Sequence, residues 1–349
     1  MKSVLLIGAV LFAALAPVQA PAQQAAATAI KPPAVQAPGY YRVALGDYKI
    51  TVLTDGTTPV PFGDLLHGAS RESLADAFRK AGESLDRETS INSFLIDTGE
   101  RRILIEAGAG RLFGDCCGRL PATLMAAGYA PETIDAVLLT HVHGDHSGGL
   151  TVDGRRVFPN AYIYLAKREL DYWLNDEARA RAKPSHQKMF EEGRAALAPY
   201  RAAGRIRTFT APSTLLPGIR VIAAPGHTPG HSFYEIESRG HRMRVIGDII
   251  HAAEVQLPRP DITVDYDADE ALAAKTRASA LAELARTHEL VAAPHISFPG
   301  LGHVVRSGTG YFWMAIPYSA EVRQVGQWGS LSVPAVTPWL FDTKVGAGV

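Results

Sequence analysis

Residues 134–150 read IDAVLLTHVHGDHSGGL, an unbroken apolar run followed by three histidines and one aspartate within six positions. The run from Ala136 to Leu139 has the continuous hydrophobicity of a buried strand, so His141, His143, Asp145 and His146 fall in the loop at its C-terminal end. Alternation along an extended chain puts His141 and His143 on one side. Gly144 then predicts a sharp turn that returns Asp145 and His146 to the same cavity. Imidazoles with carboxylates are the donor set that suits zinc and similar divalent ions. The chain has only 12 histidines, so three in six positions is not background for a polar loop.

One such loop cannot complete two metal shells, and the same arrangement recurs further along. VIAAPGHTPGH places His227 and His231 after an apolar run, RVIGDII places Asp248 behind a glycine, and LVAAPHISFPGLGH offers His295 and His303. Singly, each is the kind of polar residue that turns and caps use. Together they form one hypothesis, a metal centre built at the C-terminal ends of several strands.

The rest of the chain frames that centre. Lys2, the apolar stretch Val4–Ala16 and the small-x-small VQA at 18–20 have the form of a cleavable signal peptide over residues 1–20. The apolar stretch is short for a membrane span of about 20 residues. Residues 21–39 (PAQQAAATAIKPPAVQAPG) read as a flexible leader, and one domain is expected over 40–349. Short β-rich runs (YRVAL, YKITVLTDG, INSFLIDTG, RRILIEAG) alternate with helical patterns at Arg71–Lys80, Leu120–Ala127, Lys167–Leu174 and Pro184–Ala203. A second strand-rich half (IRVIAAPG, HSFYEIES, RMRVIGDII) leads into an Ala-rich helix over Asp269–Thr287. Two strand-rich halves, each carrying helices, predict an α+β chain with two sheets packed face to face and helices outside.

Composition narrows the partners. Lys/Arg and Asp/Glu balance at a formal net charge of zero, and the basic residues are scattered, so no footprint for nucleic acid or anionic lipid is present. The two cysteines, Cys116 and Cys117, are adjacent, a spacing that penalises disulfide geometry; they read as small apolar residues in a loop. No cysteine ligand pairs exist for a structural zinc ribbon.

The order HxHxDH, PGHTPGH, GD and a late His resembles the ligand signature of the metallo-β-lactamase superfamily. The resemblance implies an αβ/βα sandwich and two divalent ions, zinc first, with manganese, cobalt or iron as alternatives. Carried over by position, His141, His143 and His227 would hold one ion, Asp145, His146 and His295 the other, and Asp248 would bridge them. His231 becomes a supporting residue. Further stretches (APGYYRVALGDYKITVLTDGT, GRLFG, FPNA, LLPGIR, HISFPGLGH) are similar to methyl parathion hydrolase and its lactonase and arylesterase relatives, and they favour His295 over His303. LIEAG departs from the pattern, because Glu106 stands where many members have Asp.

The implied chemistry is hydrolysis. Two ions about 3.5–4 Å apart would lower the pKa of a shared water toward ~7, and the bridging hydroxide would attack an ester, lactone or phosphotriester centre. Asp145 is the expected proton carrier beside its ligand role, and Asp248 joins it in the catalytic set. No GxSxG nucleophile motif is present. The resemblance places Phe113, Trp173 and Phe190 in an aromatic wall and Leu66, His251 and Tyr266 around the leaving side. Each aromatic has plain core packing as its alternative. His251 and Tyr266 make that side more polar, which favours lactones and aryl esters over phosphotriesters. The competing expectations are a phosphotriesterase as main activity, a β-lactamase, an iron oxidoreductase of the same fold, and a non-enzymatic metal module. The expected setting is the periplasm or secretion, with no membrane attachment after cleavage, a small ester or lactone as partner, and a homodimer. The aromatic YFWMAIPY at 311–318 would serve either its interface or the core.

Overall fold

The computed structural model describes residues 39–325, so the expected signal peptide and almost all of the leader lie outside the described residues. The strands are apolar on both faces, so they build two sheets whose inner faces meet and whose outer faces are covered by helices. The first has eight strands in the order Ile206–Phe209, Tyr162–Ala166, Ala136–Leu138, Arg102–Ile105, Asp86–Asp97, Tyr48–Pro61, Tyr40–Leu45 and Arg323–Gln324. The second has seven, in the order Ser213–Leu216, Ile219–Ala223, Ser232–Ser238, His241–Val245, Leu290–Ala292, Leu301–Ser307 and Gly310–Ala315. Val43, Ile50, Val52, Phe94, Ile96 and Ile105 of the first meet Val221, Tyr234, Ile236, Met243 and Val245 of the second in one buried core.

The opposite faces carry helices. Leu53, Leu95, Val137 and Ile163 pack on Leu120, Leu124, Leu197 and Tyr200 from the helices Leu120–Ala126 and Pro184–Ala202. On the second sheet, Phe233, Val291 and Val304 pack on Leu281 and Leu284 of the helix Glu270–Thr287. The result is an αβ/βα sandwich. Helix starts follow from capping: Ser70 Oγ accepts the amide of Ser73 to open Arg71–Lys80, and Asp269 accepts the amide of Leu272 to open Glu270–Thr287.

Two local features shape the site. Between Thr54 and Gly56 the long strand Tyr48–Pro61 slips register, and Gly56 adopts φ +153° against the carbonyl of Cys116, where a Cβ would lie 2.1 Å away. Beyond the bulge, Thr58 and Val60 line a cavity at the edge of the sandwich. Asp55 is buried and accepts the amides of Ala109, Gly118 and Leu120, which fixes the loop carrying Phe113 and the two cysteines. Cys116 and Cys117 are free thiols with their sulfurs 2.7 Å apart, and burial pushes the Cys117 thiol upward. The 311–318 segment forms the edge strand Gly310–Ala315 and its exit, with Tyr311 buried and Phe312 exposed. Among the described residues no helix is long and apolar enough to cross a membrane.

Candidate metal centre

All seven expected ligands sit just past the C-terminal end of a strand, on one edge of the sandwich. His141 and His143 follow Ala136–Leu138, His227 follows Ile219–Ala223, Asp248 follows His241–Val245 and His295 follows Leu290–Ala292. Asp145 and His146 stand on a single helical turn, Gly144–Ser147, entered through His143 in extended conformation (φ −72°, ψ 161°). The turn expected at Gly144 is therefore a helix start, and Gly144 has no left-handed φ. Its small size matters instead through packing, since a Cβ there would come within 3.2 Å of Leu112 Cδ1 and 3.3 Å of Glu192 Oε2.

The structure brings the seven residues into two groups that share Asp248: His141, His143, His227 and Asp248, and Asp145, His146, Asp248 and His295. In the first, His143 Nδ1 lies 3.0 Å from both His141 Nε2 and His227 Nε2, and Asp248 Oδ2 lies 3.4 Å from His227 Nε2. In the second, His146 Nε2 is 3.0 Å from Asp248 Oδ1, and His295 Nε2 is 3.3 Å from Asp145 Oδ2 and 3.2 Å from Asp248 Oδ2. Except for Asp145, which is partly exposed, every member is buried. Asp248 Oδ1 and His146 Nε2, which face the centre of this group, meet no group in hydrogen-bonding geometry. Buried polar atoms left in that state are costly, and divalent cations would satisfy them. The donor set fits two such ions.

Four of the five ligand histidines have a polar group beside the ring nitrogen that faces outward. Asp267 Oδ1 sits 2.8 Å from His227 Nδ1, Thr140 Oγ1 3.0 Å from His141 Nδ1, and Glu106 Oε2 3.3 Å from His146 Nδ1. The carbonyl of Ser90 sits 3.0 Å from His295 Nδ1. Such partners fix ring orientation and raise ligand basicity. Glu106, the departure noted in LIEAG, holds its place with a left-handed φ of +67°. His231 carries no ligand atom into either group. Its Nδ1 faces the carbonyl of Ala224 and its Nε2 accepts the amide of Asp248. Gly247 permits that approach with φ +48°, because a Cβ would stand 2.4 Å from His231 Nε2. His303 bonds the carbonyl of Glu289 and lies outside both groups.

One carboxylate ties the two histidine loops together. Glu169, fully buried, accepts the amide of Val142 and the indole N–H of Trp173 at Oε1, and the Thr228 hydroxyl and the amide of Gly230 at Oε2. Neither Glu169 nor Asp267 is singled out by the sequence reading. KRELDYW looks like an ordinary amphipathic turn, and Asp267 lies 40 positions from the histidine it orients.

Electrostatics separates the histidines. Burial, reinforced by neighbouring imidazoles, holds His141 and His143 well below their ordinary values and takes His231 down to about 3. Burial is also the largest influence on His227 and acts to lower it, but Asp248 and Asp267 together outweigh it and hold the ring at about 9. His146 and His295 are raised in the same way, with Asp248 first among the carboxylates that overcome burial. Burial would raise Asp248, yet the surrounding histidines keep it well below the usual carboxylate range.

Above the two groups lies a cavity of about 170 Å³, bordered by His143, Asp145, Asp248 and His295. Phe113, His251 and Tyr266 line it as expected from sequence. His251 Nε2 is 3.1 Å from Asp248 Oδ2, its ring stacks on His295 at 5.5 Å, and burial holds its pKa down. Burial also pushes the Tyr266 phenol up to about 12. The other three pocket assignments are corrected. Trp173 is only 2% exposed; its indole N–H is spent on Glu169 and its ring stands edge-on to His143, so it backs the ligand without lining the cavity. Phe190 is fully buried behind Trp173, with ring centroids 4.6 Å apart. Leu66 packs among Phe62, Phe78 and Val264, beneath Tyr266. The walls the sequence reading missed are Thr58, Val60, Phe62, Thr89, Met189 and Glu192.

Comparison with known proteins agrees with this geometry. A profile of the Metallo-beta-lactamase superfamily matches residues 86–295, a span from the first sheet to the last ligand. The hydrolase AbOPH of the β-lactamase superfamily superposes with a TM-score of 0.78 at 36% identity, covering 82% of this chain and 100% of that one. AidC, a dizinc quorum-quenching lactonase solved with its product N-hexanoyl-L-homoserine, gives 0.76 at 26% identity, over 81% and 99%. An atrochrysone carboxyl ACP thioesterase of Passalora fulva is 29% identical over 160 residues, 46% of this chain and 38% of that protein. The chain thus spans well under half the length of that curated relative.

Proposed function

The chain belongs to the metallo-β-lactamase superfamily and is a metal-dependent hydrolase, and from that premise we propose that it opens lactones and cleaves aryl esters, with organophosphate triesters as side substrates. The observation that carries this reading is the cavity. At about 170 Å³ it has room for a single ring, comparable to the roughly 150 Å³ that accommodates benzene. The ring would enter with its acyl carbon over Asp145 and Asp248, and its substituent would leave past Leu112 and Phe113, which are 39% and 41% exposed at the surface.

Two divalent ions, which we propose to be zinc, would supply an activated water and polarise the acyl oxygen. The protein's own residues do the rest. Asp145, the ligand with 19% of its side chain exposed, faces the cavity and is placed to pass the proton of the attacking water to the leaving alkoxide or phenoxide. His251 and Tyr266 stand together on one wall, rings 6.1 Å apart, and offer hydrogen bonds to the leaving oxygen. Val60, Phe62, Phe113 and Met189 exclude water from the rest of the ring. The lactonase and the thioesterase among its relatives also act on acyl bonds, which supports the same class.

The test is a parallel assay of dihydrocoumarin, an acyl-homoserine lactone, a paraoxon-type triester and nitrocefin, each with metal-loaded and metal-stripped protein. Metal-dependent turnover of the first two above the triester supports the reading. Turnover confined to nitrocefin or to the triester overturns it. We further propose export to the periplasm or medium and a homodimer in solution. Fractionation of expressing cells and light scattering check these, and a cytosolic or monomeric protein would contradict them.

A further inference from the structure

On the helix Pro184–Ala202, Met189 and Glu192 are three residues apart and share the face that borders the cavity, while Phe190 and Gly193 face the interior. Glu192 is thus an acid built into an otherwise apolar wall. Its side chain is 14% exposed, and Lys188, whose side chain is 76% exposed, brings Nζ to 3.0 Å from Oε1. Oε2 points the other way, toward the ligand turn, 3.3 Å from where a Cβ of Gly144 would lie. Among the described residues no donor reaches Oε2, and no lysine or arginine lines the cavity.

A carboxylate oxygen can only accept. Held beside the reacting centre in a small cavity, it rewards a ligand that brings a donor and penalises one that brings a negative charge or nothing. We infer that Glu192 is a specificity residue whose Oε2 accepts a hydrogen bond from an amide N–H or hydroxyl next to the scissile acyl group. The substrates it selects are neutral lactones or esters bearing such a donor; carboxylate-bearing esters are disfavoured. The inference rests on the hydrolase reading above and narrows it.

The test compares two γ-butyrolactones of equal chain length, one carrying an α-acylamino group and one in which CH2 replaces its N–H. The quantity read is the ratio of their kcat/KM values in wild type, Glu192→Gln and Glu192→Leu. Both substrates meet the same folded, metal-loaded fraction of enzyme, so losses of fold or metal cancel from the ratio. Loss of a charge-assisted hydrogen bond should lower the ratio tenfold or more in Glu192→Leu. Glu192→Gln, which keeps a carbonyl acceptor, should fall between. A wild type that opens both lactones, with a ratio that stays within about twofold in Glu192→Leu, overturns this inference and leaves the hydrolase reading standing. A metal-loaded wild type that opens neither overturns both.

Discussion

Replacing Glu169 by glutamine keeps the shape of the side chain and removes one acceptor oxygen from a site that uses both. The four donors, the amides of Val142 and Gly230, the Thr228 hydroxyl and the Trp173 indole, lie 2.6 to 3.0 Å from the carboxylate. The side-chain amide nitrogen that Glu169→Gln introduces would face two of them donor to donor. Two hydrogen bonds to a charged group at about 1.5–3 kcal/mol each give a loss of about 3–6 kcal/mol. Burial raises the pKa of Glu169, so part of its interaction energy already offsets desolvation, and a neutral amide recovers that part. A net destabilisation of about 2–4 kcal/mol follows, which is about 4–8 °C in Tm for a domain of this size. Val142 lies between two ligands and Gly230 lies three residues past a third, so their displacement also misaims His141, His143 and His227. Metal affinity should drop about 10–100-fold. Thermal melts of metal-free and metal-loaded protein, with a chelator competition titration, read both effects. A Glu169→Gln protein that binds metal as tightly as wild type and melts within about 1 °C of it would refute the role given to this carboxylate.

Other consequences are as direct. His251→Leu removes the polar group beside Asp248 and should shift the ratio of triester to lactone turnover upward; an unchanged ratio sinks the argument that this wall sets leaving-group preference. Gly247→Ala forces a Cβ to within 2.4 Å of His231 Nε2 at a left-handed φ, so it should displace Asp248 and cost metal affinity at both sites, as read by titration; wild-type affinity would show that the turn tolerates the group. In metal-free protein His227 (at about 9), His146 and His295 have raised pKa values. Groups raised on folding stabilise fully below their unfolded value near 6.5 and lose that contribution as pH climbs through the folded one. The depressed histidines have already lost their protons across that window. Metal-free protein should therefore melt lower at pH 9 than at pH 6.5, while metal binding at neutral pH releases protons. A Tm of metal-free protein that rises over this interval would contradict the assignment.

What the sequence made legible was local chemistry. Ligands cluster within a few residues at strand ends, and His141 to His146 announce themselves because no structural use needs that density of imidazole. The helical patterns at Arg71–Lys80 and Asp269–Thr287 were readable locally, the second starting one residue later because Asp269 caps it from outside. What stayed hidden acts across distance. Asp267 and Ser90 reach their histidines over 40 and 205 positions, and Glu169 was masked by a helical pattern in which an acid ordinarily faces water. Trp173 was misplaced for the same reason: an indole four residues from a buried acid turns inward to satisfy it. The cavity walls Thr58 and Val60 depend on a bulge at Gly56 that nothing in the local pattern locates.

The proposed reaction centre is two ions held by seven side chains that share Asp248. Its most direct test is stepwise return of zinc to chelator-stripped protein, with hydrolysis of a lactone or aryl ester followed at each addition. Activity that is absent without metal, saturates at two equivalents per chain and fails to return in Asp248→Ala is the predicted result. Activity that survives stripping, or saturates below one equivalent, or persists in Asp248→Ala would contradict the two-metal centre.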